Sequence, residues 1–213
     1  MADLEFFFDP ICPWAWITSR WVDEVAKLRT YDVEWKFICL RMVNEDRAVE
    51  RGKTYEPYPG HLSGQKMLRV AAAIRDAAGN DAVGRYYTEL GTRIHNGGRN
   101  QEVRDGNLAI IDETLAACGL DASLSAEQDN DAHDAALRAE TDLCLSRTGK
   151  DVGTPIITFA PATEREASFF GPVIDNIPRG DEALKLWDAV ETIARVPGLA
   201  ELKRSLRGRP SFD

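Results

Sequence analysis

The sequence LEFFFDPICPWAW, residues 4–16, joins an apolar run to a segment with helical periodicity. The run at 4–8 predicts a short buried strand, and apolar residues at three- and four-residue spacing predict a helix over 13–29. Pro13 suits the first helical position, because the N–H that proline lacks has no partner within the helix there. We therefore expect a strand to end in a turn that delivers Cys12 to the N-terminus of a helix.

A thiol at Cys12 would face unpaired backbone N–H groups and the positive end of the helix dipole. That setting lowers a thiol pKa, and the thiolate is the nucleophile in thiol–disulfide exchange. We therefore expect Cys12 to be a reactive thiol with a depressed pKa. A buried, inert cysteine is the alternative, since free cysteines are usually buried. Ala15 stands where a second thiol would complete a C-x-x-C pair, so the motif has an attacking sulfur and lacks a resolving one.

The composition is typical of a globular protein, with 213 residues of which 44% are hydrophobic and 29% are charged. A net charge of −9 disfavours nucleic acid as a partner, because that binding depends on cationic contacts to phosphate. A basic membrane-binding cluster, a membrane-spanning apolar run and a signal peptide are not found in the sequence. We expect a cytoplasmic protein, either a monomer or a homodimer, that does not bind membranes.

The four cysteines, at positions 12, 39, 118 and 144, are widely spaced. Their spacing matches neither a metal-binding cluster nor a dense disulfide framework, so we expect free thiols. With only three histidines, a metal site is not expected, and the nucleotide-binding glycine motifs are missing, so no tightly bound cofactor is expected. Cys39, Cys118 and Cys144 are expected in the core, with a resolving role for Cys39 as the alternative.

The order of the remaining segments predicts the fold class. They are a strand at 33–40, a loop at 44–60, four helices between 62 and 148, strands at 152–159 and 167–171 that form a hairpin, and helices at 180–195 and 198–206. This order predicts an α/β, thioredoxin-like fold with an inserted all-helical subdomain. The thioredoxin-like domain would comprise residues 1–60 and 150–213, and the helical insertion would comprise residues 61–149.

Pro155 lies inside a predicted strand, where it cannot donate a hydrogen bond to the sheet. An edge strand or a bulge would accommodate it, and so would a cis peptide bond after Thr154 that faces Cys12. We expect the cis bond, because this strand follows the helices and precedes a hairpin. The Thr154 backbone would then be available to pair with an extended thiol-bearing ligand. Thr154 and Pro155 are therefore candidate ligand-binding residues.

Further polar candidates follow the second strand, whose carboxyl end should lie at the same sheet edge as Cys12. Asn44, Tyr55 and Tyr58 are candidates for hydrogen bonds to a polar substrate or to the sugar of a thiol, with ordinary loop residues as the alternative. His95 precedes Asn96 and a glycine pair at a helix end. A histidine there commonly caps the helix, and a role in substrate binding is the alternative.

These motifs together resemble the DsbA-like branch of the thioredoxin superfamily. The segments that carry the resemblance are FDPICPWAW at 8–16, WITSRW at 16–21, RIHN at 93–96, GTP at 153–155, FFGP at 169–172, IPRG at 177–180 and LKR at 202–204. Within that branch the chain is most similar to the mycothiol-dependent nitroreductase group. The resemblance extends over nearly the whole chain, and the combination is more specific than any one motif.

The resemblance implies a thiol-dependent oxidoreductase that reduces a small electrophilic (nitroaromatic) or disulfide substrate. Cys12, Pro13 and Trp14 match the catalytic motif of the group, and Cys12 would be the nucleophile. Mycothiol, a low-molecular-weight thiol, would supply the electrons as a co-substrate. Trp14, with Tyr55 or Tyr58, would shape an apolar pocket. The resemblance also favours a substrate-binding role for His95.

The chain departs from the group at Ala15, because the group carries C-P-W-C. Ala15 is either an engineered replacement of cysteine or a feature of a natural monothiol member, and both leave the motif unable to form an internal disulfide. A kappa-class-like thiol S-transferase or a chromene-carboxylate-type isomerase is the second functional candidate. Those proteins resemble this architecture, place a serine at the Cys12 position and often carry a small residue at the Ala15 position, so Ala15 fits them and Cys12 does not. A non-enzymatic peptide-binding module is the third candidate.

Overall fold

A computed structural model of the protein describes residues 2–206 and 208–213. Within those residues the strands form one four-stranded sheet in the order β2-β1-β3-β4. β1 pairs in parallel with β2, whereas β3 pairs antiparallel with both β1 and β4. The strands are β1 (Leu4–Phe8), β2 (Val33–Phe37), β3 (Ile156–Phe159) and β4 (Ala167–Phe170). The expected parallel β-α-β unit and the expected hairpin are both confirmed.

Eight α-helices in the described chain surround this sheet. They are α1 (Pro13–Arg29), α2 (Leu40–Glu50), α3 (Pro59–Ala78), α4 (Asn80–Gly91), α5 (Asn100–Arg104), α6 (Ile110–Cys118), α7 (Asp134–Thr148) and α8 (Gly180–Ala194). A π-helical turn at Thr92–Asn96 extends α4, and short 3₁₀ segments precede α7. No helix in the described residues is long and apolar enough to cross a membrane.

Alternation along β1 divides the interior into two cores, because successive strand side chains point to opposite faces of the sheet. Phe6 and Phe8 enter the larger core, which also contains apolar residues of α1, α3, α4 and α8. Phe7 enters a smaller core with Ile38, Val43 and buried residues of α7. Helices therefore cover both faces of the sheet, as the expected thioredoxin-like fold requires.

Several element bounds expected from the sequence are wrong. The strand expected over 33–40 ends at Phe37, and the strand expected over 152–159 begins at Ile156, so Pro155 precedes it.

Two further elements differ from the expectation. Residues 44–60 do not form one long loop, because α2 begins at Leu40 and continues to Glu50. Residues 198–206 contain no helix. Leu202 and Leu206 are exposed there, and a short segment that buries no apolar face gains little from helix formation.

The helices from α3 to α7 lie between β2 and β3 in the chain and pack closely against the sheet. The indole of Trp35, on β2, occupies the space beside Gly84 of α4. Arg147 of α7 donates hydrogen bonds to Glu5 of β1 at 2.6 Å and to Glu166 at 2.9 Å. We propose that 61–149 is a helical insertion and that 1–60 and 150–213 form the thioredoxin-like domain.

Candidate active site

Cys12 occupies the N-cap position of α1, directly before Pro13, as the sequence predicts. Its backbone is extended, with φ of −81° and ψ of 113°, so the side chain folds back over the first helical turn. The Cys12 Sγ accepts a hydrogen bond from the Ala15 N–H at 3.5 Å. Local signals in the sequence therefore suffice to position the sulfur at the helix start.

The loop before β3 forms the opposite wall around this sulfur. The Thr154–Pro155 peptide bond is cis, as expected from the sequence. The Cys12 Sγ lies 3.7 Å from the Thr154 carbonyl oxygen, to which the thiol donates a hydrogen bond. The Thr154 hydroxyl donates to the Phe7 carbonyl at 2.7 Å and so ties this loop to the end of β1. The structure thus brings Cys12, Thr154 and Pro155 together.

The expected low pKa of Cys12 is wrong for the free protein. Burial raises the pKa of this thiol from its ordinary 9.0 to about 11, and only 9% of the residue is exposed. The N–H groups of Ala15 and Trp14 lower the pKa, whereas the Asp9 charge raises it further. The loss of water around the sulfur therefore outweighs the helix-terminus effect. The thiol is protonated at neutral pH, consistent with its hydrogen bond to Thr154.

Asp9 is a buried carboxyl group that the sequence reasoning missed. Its Oδ1 accepts from the Ile11 N–H at 3.1 Å, and its Oδ2 accepts from the Leu40 N–H at 2.9 Å. Gly64 makes room for it, because a Cβ there would lie 2.5 Å from Oδ1. Burial raises the pKa of Asp9 from 3.8 to about 7. A charged residue between an apolar strand and the Cys12 motif was the signal available in the sequence.

Tyr55 and Tyr58 occupy the segment between α2 and α3. The Tyr58 ring and the side chain of Ile11, which directly precedes Cys12, both lie beside Gly60, and 45% of Tyr58 is exposed. The Tyr55 hydroxyl is buried, and it has no hydrogen-bond partner among the described residues.

Asn44 lies on α2 and not on the expected loop. Its Nδ2 donates to the Leu40 carbonyl of the same helix at 2.7 Å, so this N–H group stabilises the helix itself.

His95 lies in the π-helical turn and is only 3% exposed. Its Nε2 lies 3.0 Å from the Pro10 carbonyl oxygen, and its ring stacks on Trp16 with centroids 5.7 Å apart. His95 therefore contacts the turn before Cys12, whereas the sequence indicated that it caps the end of its own helix. Burial lowers the pKa of His95 to about 4, so the imidazole is neutral at pH 7.

The four cysteines are free thiols. Cys39 caps α2 and is buried, and burial together with the Asp9 charge raises its pKa to about 12. Cys144 is buried as expected, whereas Cys118 is partly exposed at the end of α6 and does not belong to the core. Among the described residues, no group of three or more His, Cys, Asp or Glu side chains is arranged to hold a metal ion.

A family model described as Rv2466c-like, mycothiol-dependent nitroreductase Rv2466c, matches residues 11–204. The chain belongs to this family. The Rv2466c-like family is one of oxidoreductases, so the protein is an enzyme and not a non-catalytic peptide-binding module. A curated relative is the uncharacterized protein Rv2286c of Mycobacterium tuberculosis strain H37Rv, which is 28% identical over 205 residues. The alignment covers 96% of this chain and 82% of that relative.

Solved structures agree with the fold. A Nitrosomonas europaea protein, provisionally described as a protein disulfide isomerase, aligns with a TM-score of 0.54 at 13% identity, covering 87% of this chain and 95% of that one. The cytosolic disulfide reductase DsbM from Pseudomonas aeruginosa, solved with GSH, aligns with a TM-score of 0.50 at 16% identity, covering 75% and 86%. This Rv2466c-like protein therefore has a thioredoxin-like fold of the DsbA type.

Proposed function

We propose that this Rv2466c-like protein reduces small disulfide or nitroaromatic substrates with Cys12 as the nucleophile and mycothiol as the electron donor. The observation that carries the proposal is the placement of the Cys12 sulfur between the Ala15 N–H and the Thr154 carbonyl oxygen. Membership of a mycothiol-dependent family supports the identity of the thiol. The GSH in the DsbM structure supports a low-molecular-weight thiol as the partner.

The raised pKa of Cys12 requires a means of activation, and the Thr154 carbonyl provides one. In the free protein this oxygen accepts the thiol hydrogen bond, which favours the neutral form of the sulfur. An extended ligand that pairs with the Thr154 backbone takes that acceptor away. The N–H groups of Ala15 and Trp14 then remain as donors to the sulfur, and donors favour the thiolate. Ligand binding therefore lowers the pKa of Cys12 at the moment of attack.

In disulfide exchange, the Cys12 thiolate attacks one sulfur of the substrate and forms a mixed disulfide, while the other sulfur leaves as a thiolate that takes up a proton. A mycothiol thiolate then attacks the substrate sulfur in the mixed disulfide and restores Cys12. With a nitroaromatic compound, the Cys12 thiol and one mycothiol supply two electrons and two protons. The products are a nitroso compound, water and the disulfide between Cys12 and mycothiol, which a second mycothiol reduces.

Ala15 makes the enzyme dependent on an external thiol for the second step. Its side chain is fully buried at the position of the family's second cysteine. Pro13 fixes the helix start. We propose that Trp14, which follows it, and Tyr58, whose ring lies beside Gly60, shape an apolar pocket for the substrate. We propose a cytoplasmic location, in keeping with four free thiols and with the cytosolic DsbM, and either a monomeric or a homodimeric protein.

Intact-mass measurement after incubation with oxidised mycothiol tests this function. The Cys118→Ser background removes the partly exposed thiol. We expect one mycothiol adduct, located on Cys12 by peptide mapping and missing in Cys12→Ser. In Ala15→Cys we expect an internal disulfide to replace the adduct.

An adduct that persists in Cys12→Ser, or no adduct in the parent protein, would contradict the proposal. Conjugating activity retained by Cys12→Ser would instead indicate a thiol transferase.

A further inference from the structure

The end segment of the described chain, residues 208–213, folds back onto the loop that precedes α8. The Gly208 N–H donates to the Oδ2 of Asp175 at 3.1 Å, and the Ser211 N–H donates to the Asp175 carbonyl oxygen at 2.7 Å. Four of the six residues in the end segment are nevertheless exposed. The end segment lies beyond the region 11–204 that the family model matches, so the family match does not account for this contact.

Phe212 carries the end segment on to the π-helical turn. Its carbonyl oxygen accepts a hydrogen bond from the Asn96 Nδ2 at 2.5 Å, and its ring packs against the imidazole of His95 with centroids 5.5 Å apart. Trp16, which also stacks on His95, is fully buried, whereas Phe212 is half-buried. Phe212 therefore lies on the solvent side of His95 and helps to keep that imidazole buried.

His95 in turn contacts the turn that ends at Cys12. The Cys12 N–H donates to the Asp9 carbonyl oxygen at 3.0 Å, which closes a β-turn that contains Pro10. The His95 Nε2 lies 3.0 Å from the Pro10 carbonyl oxygen. Because a carbonyl oxygen can only accept, Nε2 carries the hydrogen and donates it. Direct contacts therefore connect Phe212, through His95, to the turn that presents the sulfur.

The closed contact at His95 leaves one polar atom unsatisfied. The His95 Nδ1 is buried and has no hydrogen-bond partner among the described residues. With the hydrogen on Nε2, Nδ1 of the neutral ring is an acceptor, and an acceptor buried without a donor is unfavourable. Water that entered on release of Phe212 would supply that donor. Segments held by few buried contacts open most readily, so the end segment is suited to detach from His95.

We propose that Phe212 is a positioning residue for Cys12: it holds His95 on the Pro10 carbonyl and thereby keeps the turn closed around the sulfur. This role rests on the proposed function, in which Cys12 is the nucleophile. Detachment of Phe212 loosens the turn and admits water to the sulfur. Burial is the largest influence that raises the pKa of Cys12, so the added water favours the thiolate. The end segment therefore controls how readily Cys12 attacks.

The pH profile of Cys12 alkylation in Phe212→Ala tests this role. The rate with iodoacetamide is measured in the Cys118→Ser background, with peptide mapping to confirm that Cys12 is the residue modified. We expect the midpoint to fall by about one pH unit and the rate at pH 8 to rise roughly tenfold, since the thiolate fraction changes tenfold for each pKa unit. Urea denaturation establishes that the variant is folded.

Leu206→Ala is the matched control, because it removes an apolar side chain that is 86% exposed just before the end segment. It should leave the profile unchanged, and Phe212→Tyr, which keeps the ring, should retain the parent profile. Asn96→Asp loses the N–H that Phe212 accepts and keeps the oxygen that Trp16 needs, so it should shift the midpoint in the same direction as Phe212→Ala. A midpoint that is unchanged or higher in Phe212→Ala would overturn the role of Phe212.

Titration of His95 separates this role from the proposed function. In Cys12→Ser, the imidazole is followed by NMR and is identified by the loss of its signal in His95→Gln. Burial lowers the pKa of His95 to about 4, so Phe212→Ala, which exposes the ring, should raise this pKa toward 6.5. Leu206→Ala should leave it unchanged.

Phe212→Ala keeps every charged residue near His95, so the shift would report access of water. Those residues are Asp9 in the turn, Arg20 over the Trp16 ring, Arg93 in the π-helical turn and Asp213 after Phe212. A raised His95 pKa together with an unreactive Cys12 in the parent protein would contradict the proposed function and support the contact of Phe212 with His95. An unchanged His95 pKa in Phe212→Ala would overturn the role of Phe212, whatever the reactivity of Cys12.

Discussion

Opposing influences act on the Cys12 sulfur. The helix start and the N–H groups of Ala15 and Trp14 favour the thiolate, whereas burial and the Asp9 charge favour the thiol. Burial has the larger effect on the pKa of Cys12 in the free protein, because few water molecules remain to solvate a negative sulfur. The nucleophile is therefore held in its protonated form until a ligand changes its surroundings.

Asp9→Asn tests the contribution of the neighbouring charge. In the Cys118→Ser background, the rate of Cys12 alkylation by iodoacetamide should rise with pH toward a midpoint near pH 11. The ionised Asp9 carboxylate disfavours a second negative charge, so Asp9→Asn should move the midpoint to lower pH and speed alkylation at pH 8.

Asp112→Asn, which changes an exposed carboxylate on α6, is the control and should leave the profile unchanged. Slower alkylation in Asp9→Asn would show that Asp9 accepts the proton and does not merely repel the thiolate.

The contact between α1 and α4 depends on a glycine. A Cβ at Gly91 would lie 2.3 Å from the six-membered ring of Trp16, so only glycine lets the helix approach the indole. The Trp16 Nε1 donates a hydrogen bond to the Asn96 Oδ1 at 3.0 Å. The Arg20 guanidinium lies over the Trp16 ring, with its central carbon 4.2 Å from the ring centroid. Trp16 thereby joins the helix that begins at Cys12 to the π-helical turn.

Gly91→Ala should lower the free energy of unfolding by about 1–3 kcal/mol, through overpacking against Trp16. Helix propensity alone would raise it by about 1 kcal/mol, so the sign of the change distinguishes the two effects. Urea denaturation measures it.

The double variant Trp16→Phe/Gly91→Ala should lose less stability than the sum of the single changes, because the smaller ring leaves room for the methyl group. An increase in stability on Gly91→Ala would contradict this packing.

The stability of the whole molecule depends on pH through Asp9. Its pKa is 3.8 in the unfolded chain and about 7 in the folded one, so the folded state binds the proton more tightly. The resulting stabilisation is complete below pH 3.8 and is lost as pH rises through 7. At about 1.4 kcal/mol for each pKa unit, the loss is about 4 kcal/mol at most.

His95, whose pKa is about 4 in the folded protein and 6.5 in the unfolded chain, contributes the opposite slope between pH 4 and pH 6.5. The Asp9 contribution is therefore the difference in the free energy of unfolding between the parent protein and Asp9→Asn, measured by urea denaturation at each pH. Between pH 4 and pH 8 this difference should fall by up to about 4 kcal/mol, because asparagine does not ionise. Asp112→Asn should retain the slope of the parent. A difference between the parent protein and Asp9→Asn that stays constant over this range would show that Asp9 ionises below its proposed pKa.

Local patterns in the sequence were sufficient for the elements that carry the sulfur. The apolar run at 4–8 and the helical periodicity after Pro13 predicted β1, α1 and the N-cap position of Cys12. The hairpin was predicted equally well, and the motif segments identified the family. The predictions of a loop at 44–60 and of a helix at 198–206 were wrong. The extent of α2 and the conformation of the tail depend on packing partners that periodicity does not specify.

The chemical state of the site was decided by tertiary structure alone. Cys12 is neutral because burial removes water from its sulfur, which contacts the carbonyl of Thr154, 142 residues away. Asp9 is buried against Leu40 and Gly64. A pKa depends on how much water and charge surround a group, and those surroundings come from distant segments of the chain. The sequence thus located the nucleophile, whereas the tertiary contacts around the sulfur set its protonation state.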